Sequence, residues 1–259
     1  MNKNFPYLLV TMSPWPIIIS LNLMNFLISI VVWINFKNYS IVFLMFSNLL
    51  LAFTLWNRDI VRESTFMGGH TFIVKMMIKL SMGMFILSEL FFFISFFWTF
   101  FHSSISPSIE INMAWPPKMI KVLNYTEIPL LNTLTLITSG FFVTLSHLNL
   151  VMNMLDKSLK TLFYTILMGL YFSVVQMLEY FNSGFCINDS VYGSIFFIST
   201  GFHGIHVLVG TVFLMVSFAR MYSMHFSTIH HINYEMSVWY WHFVDVIWLF
   251  IYSFYYVLI

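Results

Sequence analysis

Long runs almost free of formal charge alternate with short polar segments along the whole chain, and they predict helices that cross a membrane. Seven runs stand out, at residues 17–36, 41–57, 80–105, 129–155, 161–180, 191–219 and 236–259. The first follows Pro14, Trp15 and Pro16 and carries Asn22, Asn25 and Asn35, polar enough to pack against something besides lipid. The third, LSMGMFILSELFFFISFFWTFFHSSI, has one formal charge, Glu89. As a helix it would be roughly 39 Å long, enough to cross a hydrocarbon core of about 30 Å, so the carboxyl falls near mid-depth. A charge is costly there, and an acid that stays faces protein or a cavity. The fourth run opens on Pro129, well placed for a first helical turn. Between the runs, 58–71 and 106–127 are polar connections, and a tight link at 156–160 predicts a helical hairpin. Gly201, Gly204 and Gly210 in the sixth run are read as allowing close helix approach.

Composition sharpens the class. Hydrophobic residues make up 59% and charged ones 8%, against about 25% charged in a soluble domain. The chain is therefore read as an all-α integral membrane protein. It has no basic stripe, which argues against nucleic acid, and its single cysteine, Cys186, excludes an internal disulfide. The N-terminal MNKNFPYLLVTMSPWP has neither a signal-peptide nor a transit-peptide pattern. With the N-terminus inside, Lys3, Arg58, Arg62, Lys75, Lys79, Lys157, Lys160 and Arg220 fall on the inner side and only Lys37, Lys118 and Lys121 on the outer. The positive-inside rule then puts the C-terminus outside.

Nine histidines raise the question of a metal or haem. His203 and His206 lie three apart, about 60° around a helix, and His242 lies three before Asp245. A redox site needs ligands converging from several helices, which spacing does not supply, so these four are read as a structural polar network and no metal site is assigned. His225, His230 and His231 in the loop after Arg220 suit either a lipid head-group or partner contact, or a solvated loop. Arg58, Asp59, Arg62 and Glu63 suit local ion pairs on a helix end or a bidentate phosphate site. For Glu89, proton handling and a hydrogen bond to a neighbouring helix both stand. A retinal protein would need a lysine in the last run, which has none. A stand-alone proton or ion transporter remains an alternative, without the inverted repeats common in that class.

Nine phrases then match one family in order: MSPWP at 12–16, WNRDIVREST at 56–65, SELFFF at 88–93, FFHSS at 100–104, WPP at 115–117, PLLNT at 129–133, YGSIFF at 192–197, TGFHGIHVLVG at 200–210 and YWHFVDVIWLF at 240–250. The chain resembles subunit III of the mitochondrial cytochrome c oxidase over essentially its whole length. The resemblance implies seven transmembrane helices in two groups, helices 1–2 and helices 3–7, separated by a V-shaped cleft that holds phospholipids. It divides the chain into a two-helix arm at 1–71 and a five-helix bundle at 72–259. It also implies the mitochondrial inner membrane, N-terminus in the matrix and C-terminus in the intermembrane space. Subunit I is the main implied partner, with subunit II and small accessory subunits. The resemblance further implies that haem a, haem a3, CuA and CuB belong to partner subunits and that this chain carries no redox cofactor and no catalytic residue. Glu89 matches the family's intramembrane glutamate. Arg58, Arg62, Glu63, His70, Arg220 and His225 match polar positions around the lipid cleft or its matrix rim. Two positions depart: Gly69 precedes His70 where a second histidine is usual, and Ser223 stands where a basic residue often follows Arg220.

Overall fold

The computed structural model describes residues 12–118 and 120–259, among which there is no strand. Lys3, used in the charge count, lies outside the described residues. Seven helices carry the fold: α1 (Trp15–Phe36), α2 (Tyr39–Thr65), α3 (Phe72–Ile105), α4 (Ile128–Val151), α5 (Leu155–Asn182), α6 (Val191–Tyr222) and α7 (Ile232–Tyr252). A 3-10 turn, Ile109–Ile111, lies between α3 and α4, and a π turn, Ser253–Val257, continues α7.

Local chemistry explains the helix ends. Pro16 sits in the first turn of α1 and Pro129 in that of α4, where a missing N–H costs nothing. Asn38 caps α2 by accepting from the Ser40 N–H at 3.2 Å, and Ser190 caps α6 by accepting from the Gly193 N–H at 3.1 Å. The α4–α5 turn uses Asn153 at φ 59°, a left-handed conformation that asparagine tolerates better than most residues.

Three of the boundaries that differ from the sequence expectation matter most for the fold. The hairpin turn is at 152–154, and 156–160 forms the start of α5. α2 continues through the charged stretch to Thr65, because the alternating charges at 58–63 are compatible with a helix that has left the apolar layer. α3 starts at Phe72, and its 34 residues extend about 51 Å.

Six helices, α1 to α6, are long and apolar enough to cross a membrane; α7 is not among them. It carries Asn233, Glu235, His242 and Asp245, and its many Trp and Tyr side chains have polar tips. Eleven of its residues are nonetheless buried, from Tyr234 to Ile251. A helix surrounded by protein need not match the hydropathy of one surrounded by lipid.

The chain packs as two units, one ending at Ile78 and the other spanning Lys79–Ile259. In the first, α1 and α2 meet through Phe26 and Phe46, with ring centroids 5.7 Å apart, and the Trp15 indole donates to Asp59 Oδ2 at 2.7 Å. In the second, Ser146 and Ser158 each donate to the other's backbone carbonyl, at 2.9 and 2.8 Å, locking α4 to α5. Trp241 of α7 is fully buried and donates to Ser139 Oγ at 3.0 Å. A Cβ at Gly169 of α5 would lie 2.6 Å from Trp241 and from Thr211, and one at Gly210 would lie 3.0 Å from Trp241. These two glycines admit the indole. By contrast, nothing lies within 4 Å of a Cβ at Gly201 or Gly204, so of the three glycines expected to bring helices together only Gly210 does so among the described residues.

Candidate functional site

Glu89 projects from α3 toward α6, where its Oε2 lies 3.0 Å from His206 Nε2. The other ring nitrogen of His206 is 2.7 Å from the Phe202 carbonyl, one helical turn back. A carbonyl only accepts, so Nδ1 carries a proton and donates it. The contact between Oε2 and Nε2 then holds one proton, residing on the carboxyl or on the imidazole. Aromatic rings enclose it: Phe93 lies 5.2 Å from the His206 ring centroid, Tyr240 stacks at 6.3 Å and Phe243 sits at 6.5 Å. The His206 side chain is 11% exposed and that of Glu89 25%, so the acid keeps an open edge while the imidazole is shielded. Within the pair the proton can sit on either side of the contact without any helix being rearranged.

The other residues of the expected polar network are not joined to this pair. His203 is buried against Phe172, at 5.7 Å, and Trp248, at 5.1 Å, and neither of its ring nitrogens has a hydrogen-bond partner among the described residues. The 60° step along α6 that separates it from His206 turns it toward α5 and α7. His242 Nδ1 is 3.8 Å from Asp245 Oδ2, too long for a hydrogen bond, and Asp245 is pressed against Gly140, where a Cβ would lie 2.6 Å from Oδ2. The four residues therefore form three separate environments.

Two polar groupings, one buried and one partly buried, escaped the sequence reading. Glu179, 2% exposed, accepts from the Tyr256 hydroxyl at 2.5 Å, and one turn earlier Gln176 accepts from Asn132 at 3.1 Å. At the ends of α4 and α7, His147, His231 and Glu235 converge, with Lys79 of α3 paired to Glu235. The four-residue spacing of His231 and Glu235 was a visible signal; their meeting with His147, 84 positions away, was not.

With this geometry established, comparison with known proteins decides the family. The model of the family described as Cytochrome c oxidase subunit III matches residues 5–258. The chain belongs to the cytochrome c oxidase subunit III family. Among similar proteins, cytochrome c oxidase subunit 3 of Aedes aegypti is 48% identical over 253 residues, covering 97% of this chain and 96% of that protein. The Drosophila melanogaster protein of that name is 47% identical over 253 residues, with the same coverage, and that of Paracentrotus lividus 46% over 252, covering 97% of each.

Within this subunit III fold the expected lipid-contacting residues fall into two sets. Arg58, Arg62, Glu63 and His70 lie in the first unit, where Arg58 Nε and Arg62 Nη1 approach Asp59 Oδ1 at 3.3 and 3.5 Å. Both arginine side chains are more than half exposed. Arg220 and His225 lie in the second unit, where the Arg220 guanidinium sits 4.8 Å above the Phe226 ring and the His225 N–H donates to the Arg220 carbonyl at 3.0 Å.

Proposed function

We propose that this chain is a non-redox core subunit of the proton-pumping cytochrome c oxidase, the complex that passes electrons from cytochrome c to O2. In this reading haem a, haem a3, CuA and CuB belong to partner subunits. The chain stabilises subunit I, touches subunit II and small accessory subunits, and sits in the mitochondrial inner membrane with its N-terminus in the matrix. Residues 1–71 form a two-helix arm and 72–259 a five-helix bundle, with phospholipids in the cleft between the two groups. Arg58, Arg62, Glu63, His70, Arg220 and His225 contact those lipids. The exposed guanidinium groups of Arg58 and Arg62 suit phosphate oxygens, which accept bidentate bonds.

The observation that carries the reading is the one-proton contact between Glu89 and His206. A carboxylate with one open edge and an imidazole behind it can hold a proton close to the site where a neighbouring subunit takes protons up. The test is Glu89→Gln in the intact complex. Glutamine keeps the shape and can still donate to Nε2, but it cannot release the proton. The expected result is an unchanged haem spectrum together with slower proton uptake or faster loss of activity during turnover. Unchanged uptake and endurance would remove the proton-handling role, and loss of haem bands from a fully assembled complex would overturn the non-redox assignment.

A further inference from the structure

The ends of α4 and α7 carry a second constellation, independent of the Glu89 reading. His147 lies near the C-terminal end of α4, His231 occupies the cap position before α7, and Glu235 is in the first turn of α7. His147 Nε2 and His231 Nε2 are 3.1 Å apart, His231 Nε2 is 3.5 Å from Glu235 Oε1, and all three ligand atoms lie within 4.8 Å of one another. Zinc bound at about 2.0–2.1 Å in a tetrahedron has neighbouring ligand atoms about 3.3 Å apart. Two of the three edges already match that spacing.

The surroundings orient the donors. His231 Nδ1 lies 3.0 Å from the Ser227 carbonyl, so it carries the proton and Nε2 presents its lone pair to the cluster. His231 is 5% exposed, so that lone pair has little access to bulk water. Lys79 of α3 holds Glu235 through Oε2, leaving Oε1 turned toward the histidines. Without an ion, His147 can donate an Nε2 proton across the 3.1 Å gap. Binding an ion needs only that this proton move to Nδ1, so that both Nε2 atoms become donors.

We propose that His147, His231 and Glu235 form a binding site for a zinc-class divalent cation. The described residues supply these three ligands, leaving a fourth position for water. Two imidazoles and one carboxylate favour zinc over magnesium or calcium, which prefer all-oxygen shells. The ion joins the end of α4 to the start of α7, and Lys79 brings α3 to the same place.

The test uses the intact complex containing this chain, cleared with a chelator, equilibrated with micromolar zinc and desalted. Zinc per complex is then counted in the wild type and in the variants His147→Gln, Glu235→Gln and, as a control, His230→Gln. One zinc fewer in the first two variants and no change in the third supports the site; the same count in all four overturns it. Because a variant can fail to assemble, a second measurement uses the wild type alone. Carbethoxylation of His147 by diethyl pyrocarbonate is followed by peptide mass spectrometry with and without zinc. Zinc should slow labelling of His147 at least tenfold while millimolar magnesium leaves it unchanged. Equal rates with and without zinc overturn the proposal.

Discussion

The two units solve the same problem, holding long apolar helices together, in different ways. Along α1 and α2 the buried residues are Ser29 and Ala52, and large side chains such as Ile17, Leu27, Phe36 and Phe43 point outward. In the other unit, α4 to α7 share a core with Phe172, Tyr192, Phe196, Trp241, Trp248 and Tyr255 nearly or wholly buried. Lipid tails are as apolar as leucine, so apolar surface alone gives helices in a membrane little reason to associate. The second unit supplies the missing specificity through tight packing, glycine notches and buried hydrogen bonds. Among the described residues, α1 and α2 bury little of their own surface against each other, which leaves their large apolar side chains to whatever surrounds them.

Mutations at the points of contact sharpen this contrast, and the largest effect is expected at Trp241. Trp241→Ala removes the indole that Gly169 and Gly210 admit and the bond to Ser139, and should destabilise the second unit by about 3–5 kcal/mol. A thermal-unfolding midpoint within a degree of the wild type would contradict the packing account. Gly169→Val is next, because its first added carbon would already meet Trp241 and Thr211 at 2.6 Å; about 1–3 kcal/mol of overpacking is expected, read as a lower yield of assembled complex. Ser158→Ala removes the reciprocal bond to α4 while leaving the Ser146 hydroxyl its carbonyl acceptor, and should cost about 1 kcal/mol in chemical denaturation. In the first unit, Trp15→Phe deletes one partly buried hydrogen bond and should cost about 0.5–1.5 kcal/mol. Smallest of all, Leu44→Ala on the exposed face of α2 should leave the unfolding midpoint within error while altering how much lipid copurifies.

The sequence made the helices legible because lipid imposes a length and a composition that a single chain must display. Glu89 was legible for the same reason, as one charge in a long apolar run. What could not be read were partners: His206 lies 117 positions from Glu89, and His231 84 from His147. Nor could the sequence show which glycines face a neighbour, since Gly201, Gly204 and Gly210 look alike in one apolar run while only Gly210 meets an indole. The seventh span was harder for a related reason. Its burial against other helices lets it carry acids and aromatic polar tips that weaken the hydropathy signal.

The single proton shared by Glu89 and His206 has an electrical consequence. Moving it from oxygen to nitrogen within this 3.0 Å contact converts a neutral pair into an ion pair without altering the net charge. The accompanying change in dipole exceeds that of a peptide unit, about 3.5 D. Because no counterion has to follow, the pair can respond to a local field as fast as a proton can hop. A charge arriving nearby in the complex would tip its balance, and the carboxyl stretching band in the infrared would report which state it holds.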